Sequence, residues 1–389
     1  MTDDKLLHRS IEHLHGPEAV AYKPDELIVV CLVRDGRPYV KSYVEHYLSL
    51  GVKHIAFLDN DSTDGTVVAL KNYENVTVLR TKLPYKAGPG GTEYLFKKYL
   101  ISRFGRRDRW CLLADIDELF DYPYSDLVGL ESLLRYLNEK RYTAVVAQML
   151  DMLPEDPLSG RAGNLGEPLK ELHRFCDISN VKRTSIKDCP DLRGNTYGSD
   201  EIEEFRNGIR STIFGAKPLL TKHPLMFLND EVKPVDGSTH WVGNARVADF
   251  TCVLFHYKFL DGYFREQVAR AVREEQYYEN SAAYKKYFQV LASNPNLQMK
   301  QETAREIESV NDLVENRFLV VSEDYLSWVN AEAEKNALSQ AALQSEPRGP
   351  GFAQNHTARE DEDPENTASS GSSAAEIKRS KVQNRTSGL

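Results

Sequence analysis

Long apolar runs, paired cysteines and a basic excess are all missing from this 389-residue chain. Each absence removes a class of protein. The longest apolar run, LIVVCLV, is seven residues long, about a third of the ~20 that a spanning helix needs. The start, MTDDKLLHRSIEHLHG, has acids early and no apolar segment of the kind that marks a secretory signal. With no anchor of its own, the chain is expected in the cytoplasm, free or peripheral at the inner membrane face. The five cysteines, Cys31, Cys111, Cys176, Cys189 and Cys252, are odd in number and form no CxxC pair. That excludes a disulfide framework and a zinc module, and implies a reducing compartment with three of the thiols acting as small core residues. Lys and Arg total 49 against 58 acids, for a net charge of -9, so no dense basic face is present to coat nucleic acid.

What remains is an ordinary globular composition, 41% hydrophobic and 10% aromatic. From Glu26 the chain alternates short apolar runs with helical periodicity, the pattern of βαβ units around a mostly parallel sheet flanked by helices. The runs ELIVVCLV, KHIAFLD, NVTVLR, RWCLLAD and YTAVVAQML read as five strands. The segment RPYVKSYVEHYLSLG reads as a helix stopped by Gly51, and GTEYLFKKYLISRFG as one capped by Thr92. Residues 151–212 lose the rhythm and read as long loops over the sheet. Apolar runs return with STIFGAKPLL and ADFTCVLFHYKF, and DGYFREQVARAVREEQYYEN reads as a helix capped by Asp261. The expected organisation is an extension (1–25), a catalytic domain (26–260), a helical extension (261–338) and a tail (339–389) with too few large apolar side chains to offset the entropy of ordering.

Chemistry concentrates at strand ends. RWCLLADIDELF carries an apolar strand into Asp115, Asp117 and Glu118. Ligands of open α/β folds bind beyond the carboxyl ends of the strands, which puts these acids beside a ligand. Two adjacent carboxylates repel unless a cation sits between them, and a hard divalent ion bridging to phosphate oxygens answers that need. A second acidic turn, FLDNDSTDGT, ends another strand. Its Ser62, Thr63, Asp64 and Gly65 are explained by turn and cap chemistry, but Asp59 is not, and its place suits a ribose or base edge.

The stretch VVCLVRDGRPYVKSYVEHYLSLGVKHIAFLDNDSTDGT, followed downstream by WCLLADIDELF, resembles the nucleotide-sugar half of family-2 glycosyltransferases with the GT-A fold, in a subgroup related to family 92. The likeness continues more loosely through GIRSTIFGAKPLLTKHPLMF and STHWVGNARVADFTCVLFHYKF. It departs after Glu45, where His46 and Tyr47 replace the subgroup's Trp. The resemblance implies a metal-dependent transferase that moves a sugar from a nucleoside-diphosphate donor to a glycan, lipid-linked or protein acceptor, with an inverting outcome. By the same resemblance Asp59 contacts the nucleobase or ribose, Asp115 the ribose or metal, and Asp117 the Mn2+ or Mg2+ ion, with Arg34 near the nucleotide. It also implies that His256 completes the metal shell, with His240 a second candidate for that volume. Trp241 is a candidate to stack on a sugar, and Arg210 and Lys222 are weaker candidates to neutralise the diphosphate. An acceptor-activating base is not identified: Asp151, Asp191, Asp200, Glu201, Glu203, Glu204 and Asp236 all qualify. The competing readings are a haloacid-dehalogenase-like phosphatase with Asp115 as nucleophile and an inactive nucleotide-sugar-binding protein. One consequence is direct: a chain truncated at Gln340 retains full turnover, and loss of activity on truncation would show that the tail takes part.

Overall fold

The computed structural model describes residues 3–88, 91–160, 168–189, 193–234 and 239–345. Asp191, Asp236 and residues 346–389, most of the predicted tail, lie outside them. The strands that matter are β1 (Leu27–Val33), β2 (His54–Asp59), β3 (Val76–Arg80), β4 (Arg109–Leu113), β5 (Glu118–Asp121), β6 (Ala144–Leu153), β7 (Thr221–Leu228) and β8 (Arg246–His256). The main helices are α1 (Val40–Ser49), α2 (Thr92–Phe104), α3 (Leu130–Glu139), α4 (Ile209–Phe214), α5 (Tyr263–Glu274), α6 (Tyr278–Ser293) and α7 (Glu323–Ser345), with shorter ones at Asp3–Ser10, Thr66–Leu70, Leu169–Leu172 and Asn311–Glu315.

The central sheet runs in the order β3, β2, β1, β4, β7, β6, β8. Its pairs are parallel except where β7 lies antiparallel between β4 and β6. The expected α/β architecture, a mostly parallel sheet flanked by helices, is present. A strand buried on both faces must be apolar at every position, and β1 shows why LIVVCLV is continuous. Leu27, Val29, Cys31 and Val33 enter one core layer with Tyr43, Val44 and Tyr47 of α1 and Leu133, Leu134 and Leu137 of α3. Ile28 and Val30 enter the other with Phe96, Leu100 and Phe104 of α2.

Two local readings are corrected. Thr92 is the first helical residue of α2 and Gly91 holds the cap position; the Thr92 hydroxyl instead ties the preceding loop, accepting from Lys86 N (2.9 Å) and donating to Pro84 O (2.7 Å). Asp261 does not cap α5, whose cap position is Gly262; its carboxylate accepts from Ser159 and from Gly160 N. The acidic motif runs on into a strand: Glu118 begins β5, which folds back antiparallel on the end of β8 and sets Glu118 opposite His256.

That return is fixed by α1. The Tyr47 hydroxyl donates to Glu118 O and accepts from Phe120 N, each at 3.0 Å, and His46 Nε2 lies 2.7 Å from Phe120 O. Among the described residues no helix is long and apolar enough to cross a membrane. Tyr47→Phe leaves a buried carbonyl and a buried N–H without their partner and is expected to destabilise the fold by about 1–3 kcal/mol. Urea unfolding at constant slope measures it; an unchanged midpoint would mean that β5 is held by other contacts.

Candidate active site

Parallel strands end on one edge of the sheet, and antiparallel β7 begins there, so both kinds of terminus supply the site. A cleft of about 480 Å³ opens at that edge. Its wall includes Arg34 after β1, Asn60 after β2, the turn 115–118 after β4, Lys222 at the start of β7, and His256 and Lys258 at and beyond the end of β8. Tyr263, Tyr277 and Tyr284 of the α5 and α6 region face it. A larger cavity of about 680 Å³ lies on the other side of Tyr263 and Gln267, but the acid cluster opens only into the first.

Asp115 and Asp117 both line this cleft, and Asp115 is paired with two cations of the protein itself. Lys97 Nζ lies 2.9 Å from Asp115 Oδ1, and Lys222 Nζ lies 3.3 Å from Asp115 Oδ2. Lys222 also donates to Glu118 Oε1 at 2.6 Å, and Lys97 pairs with Glu93 at 3.0 Å. Burial would raise the Asp115 carboxyl, but the two ammonium groups outweigh it and hold the acid well below the usual carboxylate range. Lys97 was not found from sequence, although it left a signal. It sits on the apolar stripe of α2 with Leu100 and Phe104, where a solvated lysine does not belong.

A second group forms around His256. Its Nδ1 lies 2.5 Å from Asp151 Oδ1, and Arg210 Nε donates to Asp151 Oδ2 at 2.8 Å. The topology makes this pair, since β6 and β8 run parallel with His256 opposite Asp151. Burial opposes ionisation of Asp151, yet Arg210 and His256 hold it down to about 2. An ionised Asp151 accepts, so His256 Nδ1 donates. The other ring nitrogen, Nε2, then faces Asp117 Oδ2 at 3.3 Å.

Two lone pairs cannot face each other in a buried pocket, so a proton or a metal ion belongs in that gap. Burial disfavours the imidazolium, but Asp117 and Asp151 together outweigh it and raise the His256 pKa. A carboxylate and an imidazole, the latter oriented by a carboxylate behind it, also fit a divalent ion. Asp115 does not join them, because both of its oxygens are taken by lysine. Among the described residues no group of three or more His, Cys, Asp or Glu side chains forms a cation site, so an ion at Asp117 and His256 would need oxygens from a ligand.

The remaining predicted residues divide clearly. Arg34 lines the cleft and is held by Glu274 (3.1 Å) and Gln276 (3.2 Å). His240 also lines it, its Nδ1 lying 2.8 Å from Thr221 O, and burial pushes its pKa down to about 3. Arg210 and Lys222 are both in the wall, but their charges are already matched by Asp151 and by Glu118 and Asp115. Asp59 does not face the cleft. It is fully buried, accepting from Ser62 N (3.1 Å) and Arg80 Nε (3.2 Å), and burial raises its pKa. Trp241 lies between His223 and Arg193. Of the candidate bases, Asp151 is in the site with both oxygens engaged. Asp200 and Glu201 are exposed, and Glu203 and Glu204 pair with Arg183 and Arg206.

No family model and no curated protein matches the chain. Among solved structures it is similar to a nucleotidyl transferase from Methanothermobacter thermautotroptrophicus (14% identity, TM-score 0.21), over 34% of this chain and 63% of that one. It is also similar to UDP-glucose pyrophosphorylase complexed with UDP-glucose (9% identity, TM-score 0.24), over 80% of this chain and 99% of that one. At such scores neither likeness carries an argument, and the reading rests on the site.

The Asp115 network yields a stability test. Lys97→Met leaves Asp115 with one of its two cations, and Asp115→Asn leaves Lys97 with Glu93 alone; each is expected to cost about 1–3 kcal/mol. Because the two side chains interact directly, the double variant is expected to cost less than the summed single losses, with a coupling of about 0.5–3 kcal/mol. Additive losses in urea unfolding would mean that the contact contributes nothing of its own.

Proposed function

We propose that the protein is a glycosyltransferase of the GT-A type, which moves a sugar from a nucleoside-diphosphate donor to an acceptor hydroxyl with the help of a divalent cation. The observation that carries this reading is the facing pair Asp117 Oδ2 and His256 Nε2, 3.3 Å apart at the open edge of the sheet, with Asp151 fixing the imidazole from behind.

In this reading Asp117 and His256 hold manganese or magnesium. The ion, when bound, supplies Lewis-acid neutralisation of the diphosphate. The chain's own residues do the rest. Asp151 and Arg210 keep the imidazole in one tautomer with Nε2 toward the cleft. Lys97 and Lys222, the latter also paired with Glu118, keep Asp115 ionised at the cleft wall, where a carboxylate accepts hydrogen bonds from ribose hydroxyls. Tyrosines at the mouth offer apolar faces that exclude water from the diphosphate and stack on a ring. Asp151 is a positioning group here, since neither of its oxygens is available to take a proton from an acceptor.

The phosphatase alternative needs Asp115 as a free nucleophile. Its two oxygens lie 2.9 and 3.3 Å from buried lysines, which lowers its basicity and blocks its approach to phosphorus. The transferase reading uses the same pairing as support for a binding carboxylate.

Calorimetric titration with UDP and GDP, with and without manganese, tests the proposal. Binding of one of them is expected to tighten with manganese in the native protein, and Asp117→Ala is expected to abolish the tightening. Equal affinity with and without the metal removes the cation from the mechanism, and no nucleotide binding under any condition removes the donor site.

A further inference from the structure

We propose that Lys258 is the cation that receives the donor's diphosphate, in place of the already neutralised Arg210 and Lys222. This rests on the nucleotide-sugar reading above and adds to it a residue that sequence spacing did not single out.

Position is the first argument. Beyond β8 the chain is pinned by a hydrogen bond from Tyr257 N to Asp117 O at 2.8 Å. Lys258 lies in the turn just past the strand, and it and His256 both line the cleft while Tyr257 packs into the core. The ammonium is thereby delivered to the same opening as the Asp117 and His256 pair.

Charge pairing is the second. Lys97 is matched by Glu93 and Asp115, Lys222 by Asp115 and Glu118, Arg210 by Asp151 and Arg34 by Glu274. Among the described residues Lys258 has no carboxylate within 4.0 Å. Its Nζ donates to Tyr284 Oη at 3.2 Å and lies 5.0 Å and 5.9 Å from the ring centres of Tyr284 and Tyr287. Aromatic faces hold an ammonium without cancelling its charge.

Burial is the third. Lys258 is 7% exposed and makes no ion pair among the described residues, although it is near enough to Asp117 to help hold that carboxyl low, so an arriving anion meets a largely desolvated cation. A tyrosine cage that fixes the ammonium in advance spares the site the cost of ordering a long flexible side chain at the moment of binding. A diphosphate is longer and more highly charged than a monophosphate, so of the two it is the one that can engage both an ion at Asp117 and His256 and the Lys258 ammonium. A nucleoside diphosphate therefore gains from Lys258 what a monophosphate does not.

The test is calorimetry on the full chain with manganese present, titrating UDP, GDP, CDP, ADP and dTDP, each beside its monophosphate. Lys258→Met and Lys258→Gln are measured next to the native protein, the second keeping a polar group for Tyr284 should the first not fold. Either variant is expected to lose about 10- to 100-fold in affinity for the diphosphate that binds, with monophosphate affinity little changed. A packing role would weaken both nucleotides together, and that result, or full diphosphate affinity in the variants, overturns the assignment while leaving the donor site standing. Failure of the native protein to bind any of the five diphosphates overturns the donor-site reading, and this one with it.

Discussion

The rest of the site depends on the double ion pair at Asp115. A carboxylate at the end of an apolar strand has lost much of its water, and beside Asp117 it would sooner protonate than stay charged. Lys97 arrives from α2 on one face of the sheet and Lys222 from the first turn of β7, and together they keep Asp115 ionised. Breaking one partner of such a group is costly because it strands the other. The cleft wall is therefore locked to the positions of a helix and two strands, and the carboxylate cannot drift when a ligand comes and goes.

The same logic explains why the acidic motif does not end in a solvated turn. Glu118 is turned into the sheet by the Tyr47 hydroxyl, which grips the backbone on both sides of β5. Once there, it gives Lys222 a second acid to serve, and its strand lies along β8 with Glu118 opposite His256. A core tyrosine on α1 thus reaches the site through one strand. Packing and chemistry are one structure here, since His46 and Tyr47, neighbours on α1, both bond to the backbone of β5.

Much of this was legible in the sequence, for stated reasons. Apolar runs bounded by turns gave the strands, and the DxD position gave the edge where they end; β1, β2, β4 and β6 lie where the pattern put them. His256 closes an apolar strand, which alone suggests a core residue, and it became a site candidate through the family resemblance. The direction of a side chain at a strand end was not readable. Asp59 occupies the expected place, but Arg80, opposite it across β2 and β3, draws its carboxylate away from the cleft. Pairing across distant elements was equally hidden, because Lys97 and Glu93 look like an ordinary helical ion pair until Asp115 is brought beside them. Asp151 stood in the list of possible bases on composition alone, and only the parallel register of β6 and β8 shows that it serves the imidazole.

These pairings impose an order on the cations of the cleft. A charge whose field is cancelled within 3 Å contributes little at the distance of a ligand, since the pair presents only a dipole. Lys97, Lys222 and Arg210 are of that kind, and what they do is hold acids in place. A cation resting on aromatic rings keeps its full field, and in a low-dielectric wall that field reaches farther than it would in water. The proteins that handle diphosphates need both functions, fixed acids to orient the nucleotide and an uncancelled positive charge to accept the leaving group. On the proposed reading the two fall to different residues, because Lys258 rests on the tyrosines while the other cations rest on acids. Tyr284 and Tyr287 are on α6, outside the central sheet, so on the proposed reading the C-terminal helices would form part of the donor site.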